Sequence, residues 1–335
     1  MKIGILTVFD AVNYGSYLQA YCLQKVLKER GYNDISMIKD SSYLYEKWRI
    51  TSLISYIPQK IKFKSKLALG YIDAWRAFKK GSVKEKYDLV IVGSDEMWEV
   101  NNITMKPRPS FWGIGVNTSH LVSYAVSSNT TTTEDTKRYP YISRGIKKFE
   151  KVSVRDQSTY DAYTPLLERV PTYCVDPTLL VNLHDIASYS IHRTNYILCY
   201  TYTFKPEMIK AVKELAENYN KKIIVVGQNF KWADEAIPAS PFEFLGLIEN
   251  ADFIVTDTFH GTILSIAMNK QFVTAAYKEK VFRIIEQFGL LDRNVEGCTS
   301  ILKHYEKKIN YVPVNEKIQE AREKSLSYLE ACLDV

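Results

Sequence analysis

Hydrophobic and polar residues alternate along this chain in blocks that predict strands followed by helices. Residues 2–9 form a short apolar run ended by a polar turn, as in a buried parallel strand. The next block, 16–31, has apolar residues at helical spacing and ends at Gly31, a typical helix stop. A second apolar run at 34–38 completes a strand–helix–strand unit, from which parallel sheets are built.

The remainder of the chain continues this alternation, with more regular spacing in the second half. In the first half we predict strands at 88–94, 120–127, 151–156 and 172–177 and helical stretches at about 133–148 and 156–168. In the second half we predict strands at 196–202, 221–229, 252–258 and 271–277 and helices at 206–220, 241–251, 261–270, 281–290 and 315–333. Strands that alternate with helices indicate parallel sheets covered on both faces.

We therefore expect an α/β protein of two doubly wound, Rossmann-like domains that face each other across a cleft. The predicted N-terminal α/β domain covers 1–184, the C-terminal Rossmann-like domain covers 185–312, and a C-terminal helix covers 313–335. In such sheets ligands bind beyond the carboxyl ends of the strands, where loops and helix N-termini meet. Residues at those ends are the candidates for chemistry.

Residues 44–80 interrupt the N-terminal domain with a predicted helical insertion that carries a basic face. Nine Lys or Arg residues stand against Glu46 and Asp73, and apolar side chains are interleaved with them. The insertion is either a solvated surface over a buried apolar side or a contact with an anionic membrane or a lipid phosphate. Both interpretations stay open at this point.

Charge and composition exclude several classes of function for this chain. A formal net charge of +6 suits the handling of small anions and gives no support for nucleic-acid binding. The five cysteines form no CxxC pair and the five histidines form no HxxxH or HExxH motif, so neither a metal site nor a disulfide framework is expected. With no signal-peptide pattern and no apolar run of about 18 residues, we expect a cytoplasmic protein. If the insertion binds lipid, the protein would be peripheral to the inner face of the membrane.

The segment 252–270 contains the strongest candidates for catalytic and anion-binding residues. A buried strand ends in Thr-Asp-Thr, a loop brings His260 to the carboxyl edge of the sheet, and a helix is expected to begin at Gly261. We predict that the amides of Gly261, Thr262 and Ile263 point out of that helix start, where N–H groups and the helix dipole hold a phosphate or carboxylate. His260 can donate a hydrogen bond to the anion or move a proton near neutral pH. The alternative is a plain strand-to-helix turn with a packed histidine.

Arg155 lies between a predicted strand and a predicted helix, again at a sheet edge. A guanidinium there can bind a carboxylate or phosphate through two parallel hydrogen bonds. The alternative for Arg155 is a salt bridge to Asp156 or to another acidic residue.

The first turn of the chain combines small and polar residues before a helix. It contains Asn13, Gly15 and Ser16, which offer a sugar or phosphate contact. The turn lacks the GxGxxG fingerprint, so dinucleotide binding has no support here. The alternative role for Ser16 is an ordinary helix cap.

A second polar turn follows the strand at 88–94 and contains Ser94, Asp95 and Trp98. Asp95 can act as a general base on a sugar hydroxyl, and Trp98 can stack on a sugar ring. In the alternative, Ser94 or Asp95 caps a helix and Trp98 packs in the core. No P-loop, no GxSxG elbow and no DxD pair near a strand end accompanies these turns.

Taken in order, these segments resemble the polysaccharide pyruvyl transferase family over nearly the whole chain. The resemblance is carried by NYGSYLQAYCLQKVLKERGY, VGSDEMW, SYAVSSN, SVRDQSTYD, VDPTLL and ADFIVTDTFHGTILSIAMNKQFV, of which the last is the strongest. The first turn departs from many members, which have an acidic residue after the glycine where this chain has Ser16.

The resemblance implies a fold similar to the GT-B glycosyltransferase architecture. It also implies transfer of pyruvyl from phosphoenolpyruvate to form a ketal on two hydroxyls of one sugar. Arg155 and His260 correspond to the family's functional arginine and histidine. We assign Arg155 to anion binding and His260 to phosphate binding or proton donation, with Asp95 and Asp257 as candidate bases. The residues predicted to bind substrate are Asn13, Gly15, Ser16, Ser94, Ser127, Gly261 and Thr262.

The expected partners are phosphoenolpyruvate and a glycan or lipid-linked sugar acceptor of capsule, exopolysaccharide or cell-wall synthesis. The N-terminal domain is the expected acceptor side and the C-terminal domain the donor side, and no metal or organic cofactor is implied. Two alternatives stay open: a GT-B glycosyltransferase that uses a nucleotide sugar, and a non-catalytic homologue in polysaccharide biosynthesis.

Overall fold

The computed structural model describes residues 1–40, 58–102 and 106–335. Residues 44–57 of the predicted basic insertion lie outside this part of the chain. The strands over the described residues are β1 (Ile3–Leu6), β2 (Ile35–Lys39), β3 (Lys80–Ser82), β4 (Tyr87–Val92), β5 (Thr118–Ser123), β6 (Ser153–Val154), β7 (Thr172–Tyr173), β8 (Tyr196–Tyr200), β9 (Lys222–Val226), β10 (Glu235–Ile237), β11 (Phe253–Thr256) and β12 (Phe272–Thr274). The α-helices over the same residues are α1 (Tyr14–Glu29), α2 (Pro58–Ala74), α3 (Thr133–Thr136), α4 (Tyr141–Ile146), α5 (Gln157–Tyr163), α6 (Pro206–Asn218), α7 (Pro241–Asn250), α8 (Phe259–Ala267), α9 (Glu279–Gln287), α10 (Leu302–Glu306) and α11 (Val312–Leu333).

The described residues form two compact units. The first contains those within 1–50, 75–181 and 319–335, and the second contains those within 51–74 and 182–318. Helix α2 therefore belongs with the second unit, although the sequence pattern places it in the N-terminal domain. Helix α11, from residue 319 onwards, belongs with the first unit instead of forming a separate C-terminal element.

The first unit is built on a five-stranded parallel sheet in the order β3-β2-β1-β4-β5. Strand β1 is buried along its whole length and β4 is buried at every position except Asp88, as expected when both faces of a parallel sheet are covered. Helix α1 buries Leu18, Cys22 and Val26 at helical spacing. Strands β6 and β7 form a separate parallel pair in the same unit.

The second unit repeats this design with a parallel sheet in the order β10-β9-β8-β11-β12. Helix α6 buries Met208, Val212 and Leu215 in the core of this unit. The strand order reverses between β1 and β4 in the first sheet and between β8 and β11 in the second. Such switch points open a crevice at the carboxyl ends of the strands, where ligands of doubly wound sheets bind.

Several elements differ from their predicted form. The stretch predicted as one helix at 133–148 is two short helices, α3 and α4, separated by Pro140, which precedes α4. The sequence pattern does not predict β3 or β10, because each has three residues at a sheet edge. Within the described residues, no helix combines the length and apolar character needed to cross a membrane.

Candidate active site

Four polar residues meet beyond the carboxyl ends of β4, β6 and β7 in the first unit. They are Ser94 and Asp95 after β4, Arg155 after β6 and Asp176 after β7. The Nη1 atom of Arg155 donates to Asp176 Oδ2 at 2.7 Å and to Ser94 Oγ at 3.2 Å. The Nη2 atom of Arg155 lies 3.8 Å from Asp95 Oδ1. The predicted residues Arg155 and Asp95 are thus brought together by a network that includes Asp176, to which sequence reasoning gives no role.

This ion pair is buried, since the side chain of Asp176 is 0% exposed and that of Arg155 is 3% exposed. Burial alone would lower the pKa of Arg155, but the charges of Asp176 and Asp95 raise that pKa overall. The guanidinium therefore stays charged. Arg155 forms the alternative salt bridge, with Asp176 as its partner in place of Asp156, which instead caps α5 by accepting from the Thr159 amide at 2.9 Å.

Ser94 and Ser127 lie beside the ion pair and fix the backbone around it. Ser94 is buried, and its Oγ donates to Ala125 O at 3.0 Å. The Ser127 amide donates to Asp95 O at 2.9 Å, and the Ser127 carbonyl accepts from the Trp98 amide at 3.0 Å. Trp98 is fully buried, so it packs in the core and offers no ring face to a sugar.

The turn at the start of α1 is linked to the same sheet edge by hydrogen bonds. Asn13 caps α1, because its Oδ1 accepts from the Ser16 amide at 3.1 Å. The cap is therefore Asn13 and not Ser16. Gln19 Nε2 donates to Ser16 O at 2.9 Å and to Thr7 Oγ1 at 3.0 Å. Thr7 Oγ1 in turn donates to Ser94 O at 3.2 Å, which connects the turn to the loop after β4.

In the second unit, β11 leads into α8 through the segment that the sequence singles out. Thr258 is the N-cap, because its Oγ1 accepts from the Gly261 amide at 2.9 Å. The helix therefore begins at Phe259, two residues earlier than expected, and His260 lies in its first turn at the carboxyl edge of the sheet. The ring of His260 is partly buried and packs edge-on against Phe259, with ring centroids 5.2 Å apart.

Two amides expected to face a ligand are already bonded within this helix start. The Gly261 amide is held by the Thr258 hydroxyl, and the Thr262 amide donates to Thr258 O at 3.1 Å. The buried Thr262 hydroxyl lies 2.9 Å from both Thr258 O and Thr274 Oγ1, so it is held between the helix start and β12. At Gly261 a Cβ would lie 2.2 Å from Thr256 Oγ1, which explains the glycine. The amides of Gly261 and Thr262 are therefore not directed at a ligand as predicted. The glycine is needed because the turn brings Thr256 too close for a side chain.

Asp257 is held at the switch point by a residue that the sequence does not single out. Thr201, directly after β8, donates from Oγ1 to Asp257 Oδ2 at 2.9 Å. The other carboxylate oxygen, Oδ1, is buried without a hydrogen-bond partner among the described residues. Burial raises the pKa of Asp257, and the Thr201 hydrogen bond and the charge of Lys278 offset only part of this. A carboxyl group in this state at a ligand edge suits proton transfer.

The predicted residues thus fall into two groups, one in each unit. The first group is Asn13, Gly15, Ser16, Ser94, Asp95, Ser127 and Arg155, and the second is Asp257, His260, Gly261 and Thr262. Asp176 and Thr201 are the two residues that sequence reasoning misses. In the sequence, Asp176 is marked only by its place in the VDPTLL segment, and no motif marks Thr201. In the described part of the chain, no cluster of three or more His, Cys, Asp or Glu side chains is arranged to hold a metal ion.

Similar solved structures define the class of fold. The UDP-GlcNAc 2-epimerase from Neisseria meningitidis bound to UDP-GlcNAc has a TM-score of 0.53 at 14% identity, covering 100% of both chains. The UDP-N-acetylglucosamine 2-epimerase from Rickettsia bellii has 0.53 at 11% identity, covering 99% of this chain and 95% of that one. S. aureus MnaA in a co-structure with UDP has 0.54 at 11% identity, covering 100% and 97%. These likenesses concern the fold, and they confirm the predicted α/β class with Rossmann-like units similar to GT-B enzymes.

Comparison of the sequence with protein families gives a finer result. The model of the polysaccharide pyruvyl transferase family matches residues 13–279, which is most of the chain. The chain therefore belongs to this family of transferases in polysaccharide biosynthesis, and the predicted resemblance is confirmed. Among curated protein sequences, none matches this chain significantly.

Proposed function

We propose that the protein transfers the pyruvyl group of phosphoenolpyruvate to a sugar of a surface or capsular polysaccharide precursor and forms a pyruvate ketal. The observation that carries this proposal is the polar edge of the second unit. There Asp257 and His260 follow β11 beside the switch point. The reaction needs proton transfer and contact with an anionic leaving group, and these two side chains offer both.

The chemistry makes specific demands on these residues. One sugar hydroxyl adds to C2 of phosphoenolpyruvate while a proton is delivered to the methylene carbon. A second hydroxyl of the same sugar then replaces phosphate at C2, and the C–O bond electrons leave with the phosphate. Each hydroxyl gives up its proton to a base as its bond to C2 forms. Asp257, whose pKa is raised by burial, is assigned to proton transfer. His260 is assigned to binding the phosphate or protonating it as it leaves.

The first unit supplies the second set of proposed roles. Asp95 is the candidate base for an acceptor hydroxyl, with Ser94 and Ser127 beside it. Arg155 is assigned to binding a substrate anion, because its guanidinium is charged and lies at this sheet edge beside Ser94 and Asp95. In this assignment Asp176 orients Arg155.

The acceptor in this proposal is a glycan or a lipid-linked sugar, and the reaction takes place in the cytoplasm, where phosphoenolpyruvate is made. A second candidate is glycosyl transfer from a nucleotide sugar. It is favoured by the UDP-GlcNAc and UDP bound to the structurally similar proteins. A non-catalytic role in polysaccharide biosynthesis is the third candidate.

Thermal unfolding in the presence of phosphoenolpyruvate tests these candidates. A ligand at about 100 times its Kd stabilises a protein by about 2.7 kcal/mol if it binds the folded state alone. We expect this shift in the wild type and in His192→Ala, which removes an exposed histidine of the same unit, but not in His260→Ala. Acceptor-dependent phosphate release should fall on the order of 100-fold or more in His260→Ala.

Each other outcome selects a different function. Stabilisation by UDP and not by phosphoenolpyruvate would replace this proposal with transfer from a nucleotide sugar. Stabilisation by neither ligand, with acceptor present, would favour the non-catalytic homologue. Near-normal phosphate release by His260→Ala would remove His260 from the mechanism.

A further inference from the structure

Helix α2 is fixed to the second unit by one of its faces. Leu67, Tyr71 and Ala74 share this face at helical spacing, and all three are buried. Gly70 lies close to the backbone of Ser240, where a Cβ on residue 70 would be 3.2 Å from Ser240 Cα. Because this contact fixes the rotation of the helix, the opposite face points outward.

The outward face of α2 combines apolar and cationic side chains. Leu69 is 64% exposed and Ile72 is 48% exposed. Lys62 and Lys66 are exposed on the same face, in the turns that precede Leu69. Over its whole length α2 has four lysines and one acidic residue, Asp73, which is exposed on the same outward face, so the lysines there outnumber the acid. This composition is typical of a surface that meets negative charge and an apolar phase together.

Contacts within the second unit place α2 at a defined edge of the sheet. Ser240 caps α7 and follows β10, so it lies at the carboxyl edge. Within α7, Phe244 packs against Tyr200 at the end of β8, with ring centroids 4.9 Å apart. Asp257 and His260 follow β11 at this same edge. Helix α2 therefore packs on the edge that carries the candidate site of its unit.

We propose that the outward face of α2, formed by Lys62, Lys66, Leu69 and Ile72, binds the surface of an anionic phospholipid membrane. The lysines are attracted to lipid phosphates, and the two aliphatic side chains enter the headgroup layer and leave water. A second copy of the chain is the less favoured occupant, because it would bring the like charges of two α2 helices together. Membrane contact at this edge suits an acceptor that is carried on a lipid.

Vesicle co-sedimentation of the full chain tests the charge part of the proposal. Vesicles of phosphatidylcholine are compared with an equal mixture of phosphatidylcholine and phosphatidylglycerol, and only the mixture should bind. Lys62→Gln/Lys66→Gln should weaken this binding roughly 30-fold, which is about 2 kcal/mol for two lysines. The control Lys210→Gln/Lys213→Gln removes two exposed lysines from α6 of the same unit and should bind as the wild type does.

A second variant tests the contribution of the apolar side chains to vesicle binding. Leu69→Gln/Ile72→Gln should weaken vesicle binding by about tenfold or more, because it removes the side chains that leave water. Thermal unfolding of this variant should match the wild type, since both side chains are largely exposed. Transfer to a water-soluble acceptor should be unchanged.

Four results would overturn the proposal. These are no binding to the anionic mixture, equal binding to neutral vesicles, equal loss in the α6 control, and unchanged vesicle binding in the apolar variant with an altered oligomeric state. The last result would assign the face to a second copy of the chain. Because vesicle binding is measured without donor or acceptor, it can fail while the transfer reaction stands, and the reverse also holds.

Discussion

Replacing Asp176 by Ala is expected to lower the free energy of unfolding by about 4 kcal/mol. The change leaves Arg155, whose side chain is 3% exposed, without its partner at 2.7 Å. Removing one partner of a buried ion pair costs about 3–5 kcal/mol. Asp95, at 3.8 Å, compensates in part and favours the lower end of that range, about 3 kcal/mol. The lost hydrogen bond from the Thr178 amide, at 3.1 Å, adds about 1 kcal/mol.

Urea unfolding of the wild type and the variant measures this loss. The fluorescence of Trp98 and Trp112, both fully buried in the first unit, reports the transition. The double variant Arg155→Met/Asp176→Leu is the matched control, because it removes both charges and should cost less than Asp176→Ala. A loss below about 1 kcal/mol for Asp176→Ala, as for an exposed pair, would refute the reasoning.

Three further predictions concern the second unit. Gly261→Ala should cost about 1–3 kcal/mol in urea unfolding, because its Cβ would lie 2.2 Å from Thr256 Oγ1 and 2.7 Å from Thr258 Oγ1; an unchanged midpoint would contradict this. Asp257→Asn should raise stability at pH 7, because burial raises the pKa of Asp257 and the ionised carboxylate then opposes folding. That gain should disappear as the pH falls below the ordinary value of 3.8, and calorimetry across pH would show it. Thr201→Val should lower kcat about tenfold and shift its pH profile, whereas Thr201→Ser, which keeps the hydroxyl on Asp257, should restore both.

The sequence predicts most of the fold because buried parallel strands are continuous apolar runs. Strands such as β8 and β11 are buried along their whole length, so the alternation with helices is visible without other information. Strands β3 and β10 lack this signal, since each has three residues with one or none of them buried. Pro140 divides the stretch at 133–148, a break that the apolar spacing does not reveal.

The position of a site residue could be predicted where it depends on the strand before it. Asp95 and Asp257 follow buried strands, so chain order alone brings them to a carboxyl edge. Their partners could not be predicted, because Asp176 and Thr201 are contributed by distant segments that only the folded sheet brings near. Helix α8 begins at Phe259 and not at the predicted Gly261, since Thr258 caps it there.

The two units share one arrangement at their switch points, and the difference between them supports the roles proposed for their acidic residues. Thr7, directly after β1, donates to the carbonyl of Ser94 at 3.2 Å, and Thr201, directly after β8, donates to Asp257 Oδ2 at 2.9 Å. Strands β1 and β4 occupy the places in the first sheet that β8 and β11 occupy in the second. In each unit a threonine hydroxyl therefore joins the two loops that border the crevice. In the first unit the Thr7 hydroxyl donates to a backbone carbonyl and not to a carboxylate. Asp95 of that unit lies near the buried guanidinium of Arg155. In the second unit the hydroxyl orients a carboxyl group whose pKa is raised by burial, which is the state that proton transfer requires of Asp257.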